Sequence, residues 1–95
     1  MTIKYRTKDG QADYEFSFER QPGGDWRAYI VSQPSYGSRL TDADHTHRLT
    51  DRPSGRKYVC WDRPIRSQAD LKQVVAVWSD LTQRYIRYGI PIERP

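Results

Sequence analysis

Residues 2–20, TIKYRTKDGQADYEFSFER, contain two runs in which apolar and polar side chains alternate on either side of Asp9-Gly10. Alternation with a period of two is typical of a β-strand with one buried face. An Asp-Gly pair between two such runs favours a two-residue type I′ turn, in which both central residues have positive φ. This stretch therefore predicts an antiparallel hairpin with its tip at Asp9-Gly10.

The predicted turn also sets the register of the two strands, because it pairs Lys8 with Gln11. In this register four cross-strand pairs join two apolar residues or two opposite charges, which are the combinations that stabilise a sheet. The expected pairs are Tyr5 with Tyr14, Ile3 with Phe16, Arg6 with Asp13 and Lys4 with Glu15. A shift of one residue would break all four.

A third alternating run, WRAYIVSQ, follows a loop rich in proline and glycine and continues the meander. Pairing Arg20 with Trp26 brings its apolar residues against those of the second strand. The further pairs are Phe18 with Ala28, Phe16 with Ile30, Glu19 with Arg27 and Ser17 with Tyr29. One face of this sheet is then aromatic, and the other is charged and balanced except around Tyr29 and Val31.

The C-terminal part of the chain predicts one helix. Ser67 is its expected N-cap, Asp70 a capping-box partner, and Gly89 its end, just before Pro91. The apolar stripe, at spacings of three and four, comprises Leu71, Val74, Val75, Trp78, Leu81, Tyr85 and Ile86. The polar side is expected to comprise Lys72, Gln73, Ser79, Asp80, Gln83, Arg84 and Arg87, with an Asp80–Arg84 ion pair.

Between the meander and the helix, residues 34–56 are rich in Pro, Gly, Ser, Thr and Asp and read mostly as loop. Within them HTHRLT predicts a short strand that turns through residues 51–55 into a further strand, RKYVCW. The fold class expected is α+β: an antiparallel β-sheet of four or five strands with one C-terminal α-helix packed on one face. We expect a single domain over residues 1–95, with 34–44 as its candidate flexible segment.

Composition narrows the class of protein. The 95 residues suit one domain, and they contain no apolar run long enough to cross a bilayer. The first ten residues lack the apolar core of a signal peptide. The single cysteine, Cys60, rules out an internal disulfide framework and a cysteine-only zinc site. We therefore expect a cytoplasmic location and no membrane partner.

The positive charge is concentrated in the middle of the chain. Of the formal net charge of +4, most belongs to residues 39–66, which hold seven basic and four acidic side chains. Twelve of the sixteen basic residues are arginines, and the chain contains no asparagine. Because this bias is typical of a GC-rich genome, the number of arginines alone does not indicate a function. The candidate residues for a nucleic-acid contact are Arg48, Arg52, Arg56, Lys57, Arg63 and Arg66.

The strand KYVCW is apolar on both faces, with Tyr58 and Cys60 on one side and Val59 and Trp61 on the other. Part of the outer sheet face is then apolar and needs a cover. Three groups could bury this apolar surface: the segment 34–56, a second copy or another protein, or stacked nucleic-acid bases held by arginines. We expect a small non-enzymatic interaction module that binds a protein partner or itself through Tyr29, Val31 and Trp61, with a nucleic-acid-binding module as the alternative.

No catalytic or cofactor signature accompanies these features. On a strand, His45 and His47 would share one face, as a zinc or nickel site requires, but Cys60 is the only thiol that could join them. Cys60 lies in an apolar run, where an inert, buried thiol is the usual state. We predict no enzyme, no cofactor, no metal site and no small-molecule substrate.

Three strands followed by a C-terminal helix is a topology similar to that of the AP2 and integrase arm-binding DNA-binding domains. That resemblance implies an exposed sheet face that enters the major groove. The present chain departs from it on that face, where Lys4, Arg6 and Arg27 oppose Asp13, Glu15 and Glu19. A neutral, self-paired face is a poor reader of DNA, and no binding residue is carried over.

Overall fold

The computed structural model describes residues 2–93, which form one antiparallel sheet and two helices. The sheet has five strands in the order β1-β2-β3-β5-β4. In chain order the elements are β1 (Thr2–Arg6), β2 (Asp13–Arg20), β3 (Trp26–Ser32), α1 (Ala43–Thr46), β4 (Arg48–Thr50), β5 (Lys57–Val59) and α2 (Gln68–Tyr88). The α+β class, the N-terminal meander and the C-terminal helix packed on the sheet are confirmed.

The registers predicted for the meander are confirmed. β1 pairs with β2 through the apolar pairs Ile3–Phe16 and Tyr5–Tyr14. The charged pairs are Lys4–Glu15 and Arg6–Asp13, as expected. β2 pairs with β3 in the expected register from Arg20–Trp26 to Phe16–Ile30. Beyond that point Glu15 pairs with Ser32, so Val31 is the extra residue of a β-bulge.

The first turn differs from the prediction although its register is preserved. Gly10 has a φ of 72°, but Asp9 does not have positive φ, so the turn is not type I′. Its last pair is instead Thr7 with Ala12, and the loop spans four residues. The carboxylate of Asp9 accepts hydrogen bonds from the Thr7 hydroxyl and the Gln11 N–H, which stabilises the wider turn without placing an aspartate at positive φ.

Both ends of α2 are confirmed. The Ser67 hydroxyl accepts a hydrogen bond from the Asp70 N–H at 3.1 Å. Gly89 ends the helix in the left-handed conformation with a φ of 71°, and its N–H donates to the Tyr85 carbonyl. The Arg39 guanidinium adds hydrogen bonds to the carbonyls of Ile86 and Arg87, which satisfies acceptors at the helix C-terminus.

The main core lies between α2 and the aromatic face of the meander. Trp78 is 1% exposed, and its ring meets those of Tyr14 and Phe16 edge to face at about 6 Å. The buried residues of this core are Tyr14, Phe16, Phe18, Ala28, Val59, Ile65, Leu71, Val74, Val75 and Trp78. Burial of this kind supplies most of the free energy that keeps a small domain folded.

The buried arc of α2 is wider than the sequence pattern suggested. Ser79 and Gln83, expected on the polar side, are 0% and 7% exposed. The Gln83 side chain accepts a hydrogen bond from the Tyr14 hydroxyl at 3.3 Å, which explains why an amide can be buried there. The expected Asp80–Arg84 pair is also wrong, because Asp80 accepts hydrogen bonds from the Tyr5 hydroxyl and the Lys8 N–H.

The middle segment holds the predicted second hairpin, β4 with β5, but begins with a helical turn. Residues 43–46 form α1, whose Thr46 is fully buried and whose carbonyl accepts from the Trp78 indole N–H at 3.1 Å. A second, smaller cluster of Tyr36, Tyr85 and Ile92 covers the far end of α2. Within residues 2–93, neither helix has both the length and the apolar character needed to cross a membrane.

Candidate functional site

The outer face of the sheet, turned away from α2, carries two tyrosines side by side. Tyr29 on β3 and Tyr58 on β5 are cross-strand partners, and their rings meet edge to face with centroids 5.7 Å apart. Trp61 packs instead against the main core, on the side of α2. Strand alternation thus puts Tyr58 directly beside Tyr29, with Trp61 three residues further along the chain.

Arginine side chains of the chain itself cover these two tyrosines. The Arg56 guanidinium lies 3.7 Å from the centre of the Tyr29 ring, and that of Arg27 lies 4.1 Å from the centre of the Tyr58 ring. Arg56 also donates two hydrogen bonds to Glu19, of 2.7 and 2.9 Å. Tyr29 is consequently only 4% exposed. The cover is supplied by the segment 34–56, in part, and by β3.

Among residues 2–93, the charged side chains on the outer face balance in number. Four basic side chains lie on or over it (Lys4, Arg6, Arg27 and Arg56) and so do four acidic ones (Asp13, Glu15, Glu19 and Asp51). The guanidinium of Arg56 lowers the pKa of the Glu19 carboxyl to about 2, chiefly through the hydrogen bonds that join them. A face whose charges are paired in this way offers little net attraction to a phosphate backbone.

Four of the six basic residues considered for nucleic acid contact charged or aromatic side chains of the protein. Arg48 lies over the Tyr36 ring at 4.8 Å, Arg56 is bound to Glu19, and Arg63 and Arg66 pair with Asp62 and Asp25. Arg52 and Lys57 are exposed and form no ion pair with any residue that the structure describes. Tertiary pairing therefore places these six charges in different local surroundings.

Of the three residues predicted to bind a partner, Tyr29 is thus covered, whereas Val31 and Trp61 have accessible surface. Val31 is 56% exposed at the bulge of β3. Trp61 is half-buried and lines a groove against α2, and it also borders a second hollow that Tyr58 and Arg27 line. The structure does not bring the three together.

The groove lies between the segment 61–65 and the N-terminal half of α2. Its volume is about 370 Å³, at the small end of ligand clefts (~300–1,000 Å³), and it is open to solvent. Its apolar wall consists of Trp61, Pro64, Ile65, Val74 and Val77. The chain leaves β5 at Val59 and bends at Asp62 and Arg63. The carbonyl of Ile65 then accepts a hydrogen bond from the Trp26 N–H, which holds this wall of the groove against β3.

Polar side chains form the rim of this groove. Arg63 is 78% exposed at one edge, and its nearest carboxylate, Asp62, is 3.6 Å away. Asp70 and Gln73 line the helical edge, and both are exposed. An apolar floor with a charged rim is the usual anatomy of a protein interface.

Sequence reasoning missed Val77, which is 43% exposed and lies at the helical edge of the groove. The signal was present, because Val77 stands outside the apolar stripe at spacings of three and four. It follows Asp70 by seven residues and precedes Arg84 by seven. An apolar side chain between two charges on the same side of a helix is the pattern that should have drawn attention.

The histidines do not share a face as expected. His45 belongs to α1 and its Nδ1 lies 2.6 Å from an Asp42 carboxylate oxygen, whereas His47 is the left-handed C-cap and its Nε2 lies 2.9 Å from the Ile92 carbonyl. The helical turn prevails because burial of Thr46 docks it on Trp78. Over residues 2–93, no three His, Cys, Asp or Glu side chains are grouped as a metal would need. Cys60 is half-buried.

No protein-family model, curated protein or solved structure matches this chain.

Proposed function

We propose that this protein is a small non-enzymatic interaction module whose binding site is the groove beside Trp61. The partner is a polypeptide that presents an amphipathic helix, with apolar side chains entering the groove and charged side chains meeting its rim. This proposal keeps Trp61 from the sequence-based prediction and replaces Tyr29 with Val77. It includes a cytoplasmic location and no role for a cofactor or small-molecule substrate.

The observation that carries the proposal is the apolar, solvent-open wall next to a long, well-capped helix. α2 has 21 residues and is held at both ends, so Val77 is presented on a rigid element. A rigid site loses little conformational entropy when it binds, which favours affinity. In helix-in-groove recognition the bound helix inserts apolar side chains at spacings of three, four and seven, and the apolar wall beside α2 can receive them.

A library of amphipathic helical peptides tests this proposal without knowledge of the natural partner. Peptides selected on the intact protein should shift the Trp61 indole NMR signal, and Val77→Lys should reduce their affinity at least tenfold. The matched control is Val31→Lys, because Val31 is also exposed but lies on β3. Binding that is lost in Val31→Lys but retained in Val77→Lys would contradict the proposed site.

Binding of nucleic acid through Arg52 and Lys57 is the alternative function. It is the less favoured one, because the neighbouring arginines are engaged with carboxylates and the outer face is neutral. Single-stranded and duplex oligonucleotides at two salt concentrations separate the two functions. Affinity that falls steeply with salt, and is lost in an Arg52→Ala/Lys57→Ala variant, would favour nucleic acid over a protein partner.

A further inference from the structure

One strip of α2 carries an apolar centre with an acidic residue toward one end and a basic residue toward the other. Asp70, Val77 and Arg84 are spaced by seven residues, and such residues differ by only about 20° around a helix axis. Asp70 and Arg84 are both exposed. Neither forms an ion pair with another residue in the described range 2–93, unlike most arginines of the outer face.

We propose that the helix bound at this surface is α2 of a second copy of the chain, packed antiparallel with a twofold axis through Val77. This inference rests on the proposed function and names its partner. In that arrangement Val77 meets Val77 of the second copy. Asp70 then faces Arg84 of the second copy, and the symmetry repeats this contact on the other side of the axis.

The spacing along α2 supports this register. Asp70 and Arg84 each lie seven residues from Val77, about 10.5 Å along the axis, so reversing the helix about Val77 superimposes one charge on the other. Gln73 and Leu81 are likewise each four residues from Val77. Leu81 of the second copy, which is half-buried against the smaller cluster of its own chain, therefore comes level with Gln73, which lines the groove.

Self-complementarity distinguishes a second copy from an unrelated partner. A twofold interface requires that one patch contain both members of every contact, and this strip contains an acid, a base and an apolar centre in symmetric positions. A small side chain such as Val77 also lets two helix axes approach to the usual 8–10 Å. An unrelated helix would require no such symmetry about Val77.

Charge reversal tests the inference in the 95-residue chain by sedimentation equilibrium. The wild type should dimerise reversibly, and Asp70→Arg or Arg84→Asp alone should weaken dimerisation roughly tenfold, since each changes two contacts from attraction to repulsion. An equimolar mixture of the two variants should associate as a heterodimer close to the wild-type affinity, because both contacts then join opposite charges. Lys72→Asp, exposed on the opposite side of α2, is the matched control and should leave dimerisation unchanged.

Damage to the fold would not be rescued by mixing, so the rescue identifies the contact itself. A wild-type protein that stays monomeric up to millimolar concentration would overturn the inference, as would a dimer indifferent to both charge reversals. If such a monomer still binds the selected helical peptides at Trp61, the proposed function stands and only the second copy is refuted. If the protein binds neither a second copy nor the helical peptides, both proposals fail.

Discussion

Replacement of Arg56 by alanine tests whether the arginines over the outer sheet face stabilise the fold. The guanidinium of Arg56 makes a two-point contact with Glu19, whose side chain is 37% exposed, and lies 3.7 Å over the Tyr29 ring. A partly exposed ion pair contributes up to about 1 kcal/mol, and an exposed cation–π contact about 0.5–1 kcal/mol. Arg56→Ala should therefore lower the free energy of unfolding by about 1–2 kcal/mol at pH 7.

Urea denaturation of Arg56→Ala, Glu19→Gln and the double variant separates the two contacts. The ion pair appears as the coupling between the two single variants, and the remainder is the contact with Tyr29. Arg56→Lys keeps the charge but lacks the planar fork, so it should lose part of both contacts. A loss below about 0.3 kcal/mol for Arg56→Ala, within the usual range for surface substitutions, would refute the argument that this cover stabilises the sheet.

The same pair makes a prediction about pH. The pKa of Glu19 in the folded protein is lowered to about 2, below its ordinary value near 4.5, because Arg56 donates hydrogen bonds to the carboxylate. The unfolded chain then binds more protons, so this contribution is fully present above about pH 4.5 and is lost as the pH falls toward 2. Arg56→Ala should flatten the dependence of stability on pH in this window. An unchanged slope would contradict the assignment.

Two further substitutions test contacts made by α2. Gly89→Ala should lower the free energy of unfolding by about 1–2 kcal/mol, because Gly89 has positive φ and an added Cβ would lie 2.8 Å from an Arg39 nitrogen. The loss should be smaller in an Arg39→Ala background. Equal losses in the two backgrounds would exclude the contact with Arg39. Asp80→Asn should cost about 1–2 kcal/mol, because its carboxylate accepts from the Tyr5 hydroxyl at 2.8 Å and the Lys8 N–H at 2.9 Å. Tyr5→Phe should then add little in the Asp80→Asn background, and full additivity in urea denaturation would contradict this coupling.

The elements that were predicted correctly are those governed by neighbours in the chain or by strict periodicity. The strand register followed from cross-strand pairs such as Tyr5–Tyr14 and Arg6–Asp13, since a one-residue shift would turn every side chain to the other face. The ends of α2 followed from Ser67 and Gly89, whose capping geometry involves only local hydrogen bonds. These features required no knowledge of distant contacts.

The candidate site was only partly predictable, because its members come together across long separations in the chain. Trp61 and Val77 line one groove although nothing in their local sequence relates them. The turn at Asp9 and the burial of Gln83 likewise depend on α2 docking against the first hairpin. Local secondary-structure propensity does not include these contacts, because they form only when the helix packs on the sheet.

The sequence by itself determined the α+β architecture, the register of the meander and both ends of α2, because alternation and capping act over a few residues. Only the tertiary structure decided what covers the outer face and which residues stay accessible. Arg56 covers Tyr29 across the sheet because Glu19 holds its guanidinium there, whereas Val77 stays exposed because no other element packs over it. Both the pairing of charges distant in sequence and the exposure of one side of α2 depend on how the elements pack together.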